Sequence, residues 1–465
     1  MSQLQRPPAS LSILLVLAGA AGLAPGASDP NSAGTAAPVT LTLEQAIDLA
    51  LHHNPGVVAA GHARAAASEG VIQSRARFLP RLDAMETVSW TDNPTMVFSN
   101  LLGQARFSRA NFEIASLNEP APLANFNARV TLTQPIYAGG QLDAGRAAAR
   151  HIEEAAGGEE RRARQQTTYG TTRAYHGVLL ARAQLGVAEA AKGAAASHLK
   201  TAQNLVESGL AVPSDVMRVK VRLEEIEEMR IRAAAGERVA RAALEAVMGA
   251  RPGSPYDLAE PAGDDPPLPE VEEASRRALA SRPDLAAARS GASASGEGVR
   301  AASAGWKPQI GFMGAYEIND GSLLGASGSN WAAMVTVGVN VFDGRLTASR
   351  VRQSREERER AESLVSGFES QVVMEVRQAH AELQGAFARR EAARGAVAQA
   401  EEGLRIVRDR YENGMGTVTD LLDGETALTD ARARLASAAY DCRNGAAALD
   451  LATGTQGGTP EEARR

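Results

Sequence analysis

Leu205-Val206-Glu207-Ser208-Gly209-Leu210-Ala211-Val212-Pro213-Ser214-Asp215-Val216-Met217 and Arg410-Tyr411-Glu412-Asn413-Gly414-Met415-Gly416-Thr417-Val418-Thr419-Asp420-Leu421-Leu422 follow one pattern. Each reads as the end of a long helix, a glycine turn and the start of another helix. Gly209 and Gly414 supply the left-handed residue that closes a helix. Ser214 or Asp215, and Thr419 or Asp420, are short polar residues suited to the free N–H groups of a new helix start. The chain is expected to contain two helical hairpins with tight tips.

Outward from the tips, the resemblance between the halves continues. Pro55 and Pro80 recur as Pro283 and Pro308, both 228 residues later, whereas Gly139, Gly209 and Asp215 recur as Gly344, Gly414 and Asp420, each 205 later. Constant offsets of this kind indicate an internal duplication. The change of offset puts 23 extra residues in the first copy, between Pro80 and Gly139. The expected layout is repeat 1 over 41–250, with a tip at 208–214, and repeat 2 over 270–454, with a tip at 413–419. A Pro- and acid-rich linker, 251–269, joins them, and 455–465 is a polar tail.

Each copy opens with helical spacing. Leu43, Ala46, Ile47, Ala50 and Leu51 fall on one face behind Thr42 as cap, and Pro55 starts a second helical run. From Gln141 to Ser208, and again from Arg345 to Asn413, the chain is helical in pattern and free of proline. Such a helix is about 100 Å long at ~1.5 Å per residue, more than a globular core requires. The return helices are about half as long, and the helices behind Pro55 and Pro283 could stack on them to match the long partner. The run Arg355-Glu356-Glu357-Arg358-Glu359-Arg360 reads as a solvated helix face.

Between the helices lie segments of another period. Leu82, Ala84, Val88 and Trp90 alternate with Asp83, Thr87 and Ser89; Ala128, Val130, Leu132 and Ile136 alternate with Arg129, Thr131 and Thr133. Ile310, Phe312, Tyr316 and Ile318, and then Val335, Val337, Val339 and Val341, repeat the pattern in the second copy. Strands are expected at 81–91, 127–137, 309–318 and 332–342, with the extra residues forming an external loop of turns between Asp92 and Asn127. Alternation also fits a half-buried soluble sheet; in an outer-membrane barrel it separates lipid from lumen. Glu86 interrupts the apolar face and is expected near a membrane interface. Four strands cannot close around a lumen, since about eight make the smallest barrel, and an open edge cannot face lipid. Transmembrane strands here would have to share a barrel between copies.

Composition narrows the class. The 465 residues are 44% hydrophobic, 22% charged and 4% aromatic, with a net charge of −6. Sparse aromatics and many alanines suit thin helical packing. The net charge offers no footprint for nucleic acid. One cysteine, Cys442, rules out an internal disulfide, and it is expected on a helix face. His52, His53, His151, His176, His198 and His380 are scattered without metal spacing, and no phosphate loop or nucleophile elbow is present. Neither catalysis nor a cofactor is expected. Residues 1–27, with Arg6 ahead of the apolar run Leu11–Ala21, have the layout of a secretory signal, followed by a linker at 28–40.

Several short motifs complete the reading: Leu41-Thr42-Leu43-Glu44-Gln45-Ala46 with Asn54-Pro55, Phe78-Leu79-Pro80, and Thr133-Gln134-Pro135-Ile136-Tyr137-Ala138-Gly139-Gly140. With the two tips, in this order and twice over, they resemble the TolC-like outer-membrane efflux proteins across nearly the whole mature chain. The resemblance implies a homotrimer in the outer membrane, reaching into the periplasm, with a twelve-strand β-barrel and an α-barrel tunnel. It implies that the tips, at Gly209, Leu210, Gly414 and Met415, dock a periplasmic adaptor serving an inner-membrane pump or ABC exporter. It implies a periplasmic gate in which Tyr411 matches the gate tyrosine and Asp215 an aspartate on the facing hairpin, while Asp420 and Asp423 match an acidic ring. Gly416 stands where some members carry a gate arginine, so that network is incomplete here. The competing expectation is a soluble periplasmic adaptor with a helical hairpin and no pore. Drugs, metal ions and polypeptides are all open as cargo.

Overall fold

The computed structural model describes residues 39–251, 253, 256–260 and 268–456. The expected signal segment, most of the 28–40 linker, part of the 251–269 linker and most of the tail lie outside the described residues. Repeat 1 runs β1 (Val39–Leu41), α1 (Leu43–His53), α2 (Pro55–Ala76), β2 (Arg81–Thr91), α3 (Pro94–Gly103), α4 (Ile114–Asn118), β3 (Leu123–Ala138), α5 (Gln141–Glu207) and α6 (Pro213–Met248). After β4 (Tyr256–Leu258), repeat 2 runs α7 (Val271–Ser281), α8 (Pro283–Ser303), β5 (Gln309–Asp320), β6 (Gly328–Gly338), α9 (Leu346–Glu412) and α10 (Val418–Thr453).

The helices match in length across the repeats. α5 and α9 have 67 residues each, and α6 and α10 have 36 each. Each hairpin is completed by a stacked joint. Gly249 closes α6 at φ +66°, and a Cβ there would overlap the His53 carbonyl oxygen at 2.6 Å. The Asn54 side chain, which caps α2, donates to the Val247 carbonyl at 2.8 Å. In the second copy Ser281 Oγ donates to the Thr453 carbonyl at 2.9 Å. The shorter helices therefore extend the return helices alongside α5 and α9.

Four strands form one antiparallel sheet in the order β2-β3-β5-β6. Arg81 pairs with Thr133, Phe126 with Asp320 and Gln309 with Gly338, and the register shifts between Pro135 and Tyr137. Leu82, Val130, Tyr316 and Trp331 fall on one face by this register; Asp83, Arg129, Thr131, Glu317 and Asn330 fall on the other. Trp90 is 80% and Trp331 76% exposed on the apolar face, an arrangement suited to lipid and not to water. Among the described residues, β2 and β6 have no further partner at the two edges.

Several details differ from the expectations. β6 ends at Gly338 and not at 342, because β5 begins at Gln309 and leaves Val339–Phe342 no partner strand among the described residues. β3 starts four residues earlier than expected, at Leu123, because β2 extends to its partner there, Thr91. Glu86 is the middle residue of β2, although its row continues through Ala128 and Ile318 to Ser329, close to the ends of β5 and β6. The loop expected from Asp92 to Asn127 contains α3, α4 and a 3₁₀ turn at Arg109–Phe112. The linkers also supply structure, since β1 pairs in parallel with β4, and Tyr175 Oη donates to the Leu41 and Ala259 carbonyls at 2.9 and 2.6 Å.

The core is thin, as the composition requires. One cluster gathers Ala46, Ala50, Tyr175, Leu179 and Leu244 beside that small sheet; another places Ala274 and Ala278 against Val372, Val376 and Leu383. A buried polar knot joins the repeats. Arg282 donates to Asp284 at 2.6 Å and Glu375 at 2.5 Å, while Arg162 of α5 meets Asp284 at 3.1 Å. Burial alone would raise the Asp284 carboxyl, but the bond from Arg282 and the Arg162 charge hold it below its ordinary value.

Candidate gate and docking tips

Both tips are closed by the same backbone device. Gly209 (φ +76°) donates to the Val206 carbonyl at 3.0 Å, and Leu210 donates to that of Leu205 at 2.8 Å. Gly414 (φ +71°) donates to Tyr411 and Met415 donates to Arg410, at 3.0 and 2.8 Å. These are paired bonds of the Schellman type, which use up carbonyls that a helix end leaves free. Leu210 and Met415 project from the turns, each 67% exposed.

The helix starts differ between the copies. In repeat 2, Thr417 caps α10 and its own N–H is met by Asp420, a reciprocal capping box. In repeat 1, neither Ser214 nor Asp215 caps α6: Val212 holds the cap position without a side-chain bond, and Pro213 takes the first helical position. Proline has no N–H to satisfy there, so the start needs less help.

The expected gate residues fall into two environments. Tyr411 is buried (4% exposed) among Ala202, Val219, Leu404, Val418 and Leu421, where the two hairpins pack together. Its hydroxyl has no hydrogen-bond partner among the described residues. Burial first, and then the Asp215 charge, push that hydroxyl above its ordinary pKa, so Asp215 is near enough to be felt without being bonded. Asp420 and Asp423 lie instead on an open cleft of about 450 Å³ between α9 and α10, lined also by Gly403, Val407, Arg410 and Gly416. The bond from the Thr417 hydroxyl, then its backbone N–H, lowers the Asp420 carboxyl. Asp423 is exposed on the same cleft. A Cβ at Gly416 would sit 3.1 Å from the Tyr411 amide nitrogen, leaving little room for a larger residue.

Sequence reading missed the bridges between hairpins. Arg218 and Arg222 of α6 donate to Thr419 and Thr426 of α10, both at 2.9 Å. His198 of α5 meets Glu425 at 2.7 Å, and Arg408 reaches the same carboxylate at 3.2 Å. Burial would raise the Glu425 carboxyl, but the His198 bond and charge, and then Arg408, lower it. Arg222 Nε and Arg408 Nε stay buried without acceptors, so the clasp is only partly satisfied.

A family model described as "Outer membrane efflux protein" matches residues 46–250 and 274–455, both repeats almost entirely. The chain belongs to the outer membrane efflux protein family. Two curated relatives agree. The "Outer membrane efflux protein BepC" of Brucella suis biovar 1 (strain 1330) is 27% identical over 293 residues, 62% of this chain. The "Protein CyaE" of Bordetella pertussis (strain Tohama I / ATCC BAA-589 / NCTC 13251) is 28% identical over 290 residues, 61% of this chain. The matched stretches span 63% and 61% of those relatives, under two thirds of their length.

Solved structures share the fold. CusC gives a TM-score of 0.77 at 18% identity, covering 93% of this efflux-family chain and 99% of its own. VceC of Vibrio cholerae gives 0.74 at 20% identity, covering 89% of this chain and 96% of its own. At such identity the likeness concerns the fold: long helical hairpins carrying a four-stranded sheet. Membership of the family places the chain at the outer membrane.

Proposed function

We propose that this protein is the outer-membrane exit duct of a tripartite efflux or type I secretion machine. Three copies close a twelve-stranded barrel in the membrane, and their helical hairpins form a tunnel through the periplasm. The observation that carries this is the sheet: an apolar, exposed face, a polar face with an ion pair, and two free edges, β2 and β6. An open edge is not tolerated in lipid, so the edges must meet those of other copies. The unpaired Val339–Phe342 stretch, with Val341 93% exposed, supplies further edge for that contact.

At the far end, Leu210 and Met415 are the apolar residues offered to a periplasmic adaptor, held out by Gly209 and Gly414. Asp423 and Asp420 form the acidic rim of the periplasmic opening, while Tyr411 and the Glu425 clasp keep the hairpins together. Behind the adaptor stands an inner-membrane pump or ABC exporter. A soluble adaptor reading has no use for an amphipathic sheet with a lipid-suited face. Purified protein reconstituted in a planar bilayer tests the duct: discrete cation-preferring conductance steps are expected, and protein that inserts without conducting would contradict it.

A further inference from the structure

The 92–122 insertion, which has no counterpart of its length in repeat 2, lies on the polar face of the sheet and leaves the lipid-suited face clear. The register fixes that side. Asn125, Asn319 and Gly328 share the face of Arg129 and Glu317, opposite Trp90 and Trp331. A Cβ on Gly328 would run into the Gly103 carbonyl oxygen at the end of α3, and one on Gly103 would meet the Asn319 side chain at 3.3 Å. Gln104, the next residue, is fully buried. Its Nε2 donates to the Ala124 carbonyl at 2.8 Å, Asn125 Oδ1 at 2.9 Å and the Asp320 carbonyl at 3.3 Å, while Arg106 donates to its Oε1 at 3.0 Å. Asn125 and Asn319, polar residues at the outer strand ends, are thereby covered to 4% and 7% exposure.

The insertion also has packing of its own. Phe107 stands edge-on to both Phe98 and Phe112, with ring centroids 4.8 and 5.1 Å apart, and Val97 is buried at 4% exposure. It is a folded element and not a slack connection, fastened by one amide to the ends of β3 and β5.

We propose that this insertion is a lid across the outer mouth of the barrel, with Gln104 as its positioning residue, and that it excludes bulky solutes arriving from outside. The inference rests on the duct reading, in which the polar face is the lumen. Because it concerns the outer end, the state of the periplasmic tips does not decide its test.

The test is thiol labelling of Thr131→Cys, on the polar face well inside the mouth, in intact cells. Wild type, whose Cys442 is buried, is the blank. A small methanethiosulfonate should label the variant quickly, and a bulky polyethylene-glycol maleimide slowly. Adding Gln104→Ala, or shortening the insertion to the length of the 321–327 connection, should raise the bulky reagent's rate about tenfold and leave the small reagent's unchanged. Outer-membrane abundance and small-reagent labelling show that each variant has folded. Equal access of the bulky reagent to the native and shortened forms, whether fast or slow in both, would overturn the lid. Failure of even the small reagent to label folded protein would overturn the duct reading and the lid with it.

Discussion

His198 and Glu425 lie 227 residues apart in sequence and 2.7 Å apart in space, where they tie the first hairpin to the second above the tips. Both side chains are largely shielded, with 8% and 13% exposure, and Arg408 shares the carboxylate. Replacing Glu425 by Gln would weaken the acceptor that His198 and Arg408 share. A cost of about 1–3 kcal/mol to the local contact is expected. Hydrogen exchange at the tip should speed up while exchange at the Tyr175 region stays unchanged; unaltered tip exchange would show the clasp to be idle.

The same pair fixes a pH response. The folded Glu425 carboxyl is lowered, so its contribution is complete above the ordinary carboxylate value and is lost as the pH falls through the lowered one. Tip protection in wild type should therefore fall on acidification below that range, and the Glu425→Gln variant should lack this step.

Tyr411 separates packing from hydrogen bonding. Its hydroxyl is buried without a partner among the described residues, so Tyr411→Phe should change stability by less than about 1 kcal/mol and leave conductance as it is. Tyr411→Ala empties a site between the hairpins and should cost about 3–5 kcal/mol, with larger or noisier channel openings. A Phe variant that opens like the Ala variant would reveal a hydrogen bond supplied by a neighbouring copy.

Asp420 and Asp423 share a cleft but differ in duty. Asp423→Asn should reduce cation preference and block by multivalent cations without changing stability. Asp420→Asn should have both the electrostatic effect and a loss of stability from the weakened capping box. Single-channel recordings set beside thermal unfolding distinguish them, and unchanged selectivity in both variants would remove the acidic rim.

At Gly209 and Gly414 a side chain would meet nothing within 4 Å, yet both backbones are left-handed. Most substitutions should therefore cost about 1–2 kcal/mol through conformation alone. Asn tolerates this region, so Gly414→Asn should keep the turn and Gly414→Trp should obstruct the tip. Export lost with Trp and kept with Asn, with equal oligomer in the membrane, supports adaptor docking there. Normal export by the Trp variant would count against it.

The parts of the fold that were legible in the sequence are those governed by local periodicity. Leu82 to Trp90 shows its strand by alternation, and the constant offsets from Gly139 to Asp420 show the duplication. What escaped depends on partners distant in sequence. β6 stops at Gly338 because β5 starts at Gln309, a fact absent from the valines that continue the alternation. Asn93-Pro94 lies in the stretch expected to be a loop of turns, although, like Asn54-Pro55, it is a cap followed by a first helical residue. β1 and β4 are too short to show any period. The Arg218–Thr419 bridge joins residues 201 positions apart, and nothing in either neighbourhood announces the other.

The central claim is that copies of this chain complete one another's sheet through β2 and β6. Native mass spectrometry of protein extracted from the outer membrane tests it most directly. The account predicts a single species of three chains that separates into monomers when the strand edges are disrupted. A stable, water-soluble species of one chain would contradict it.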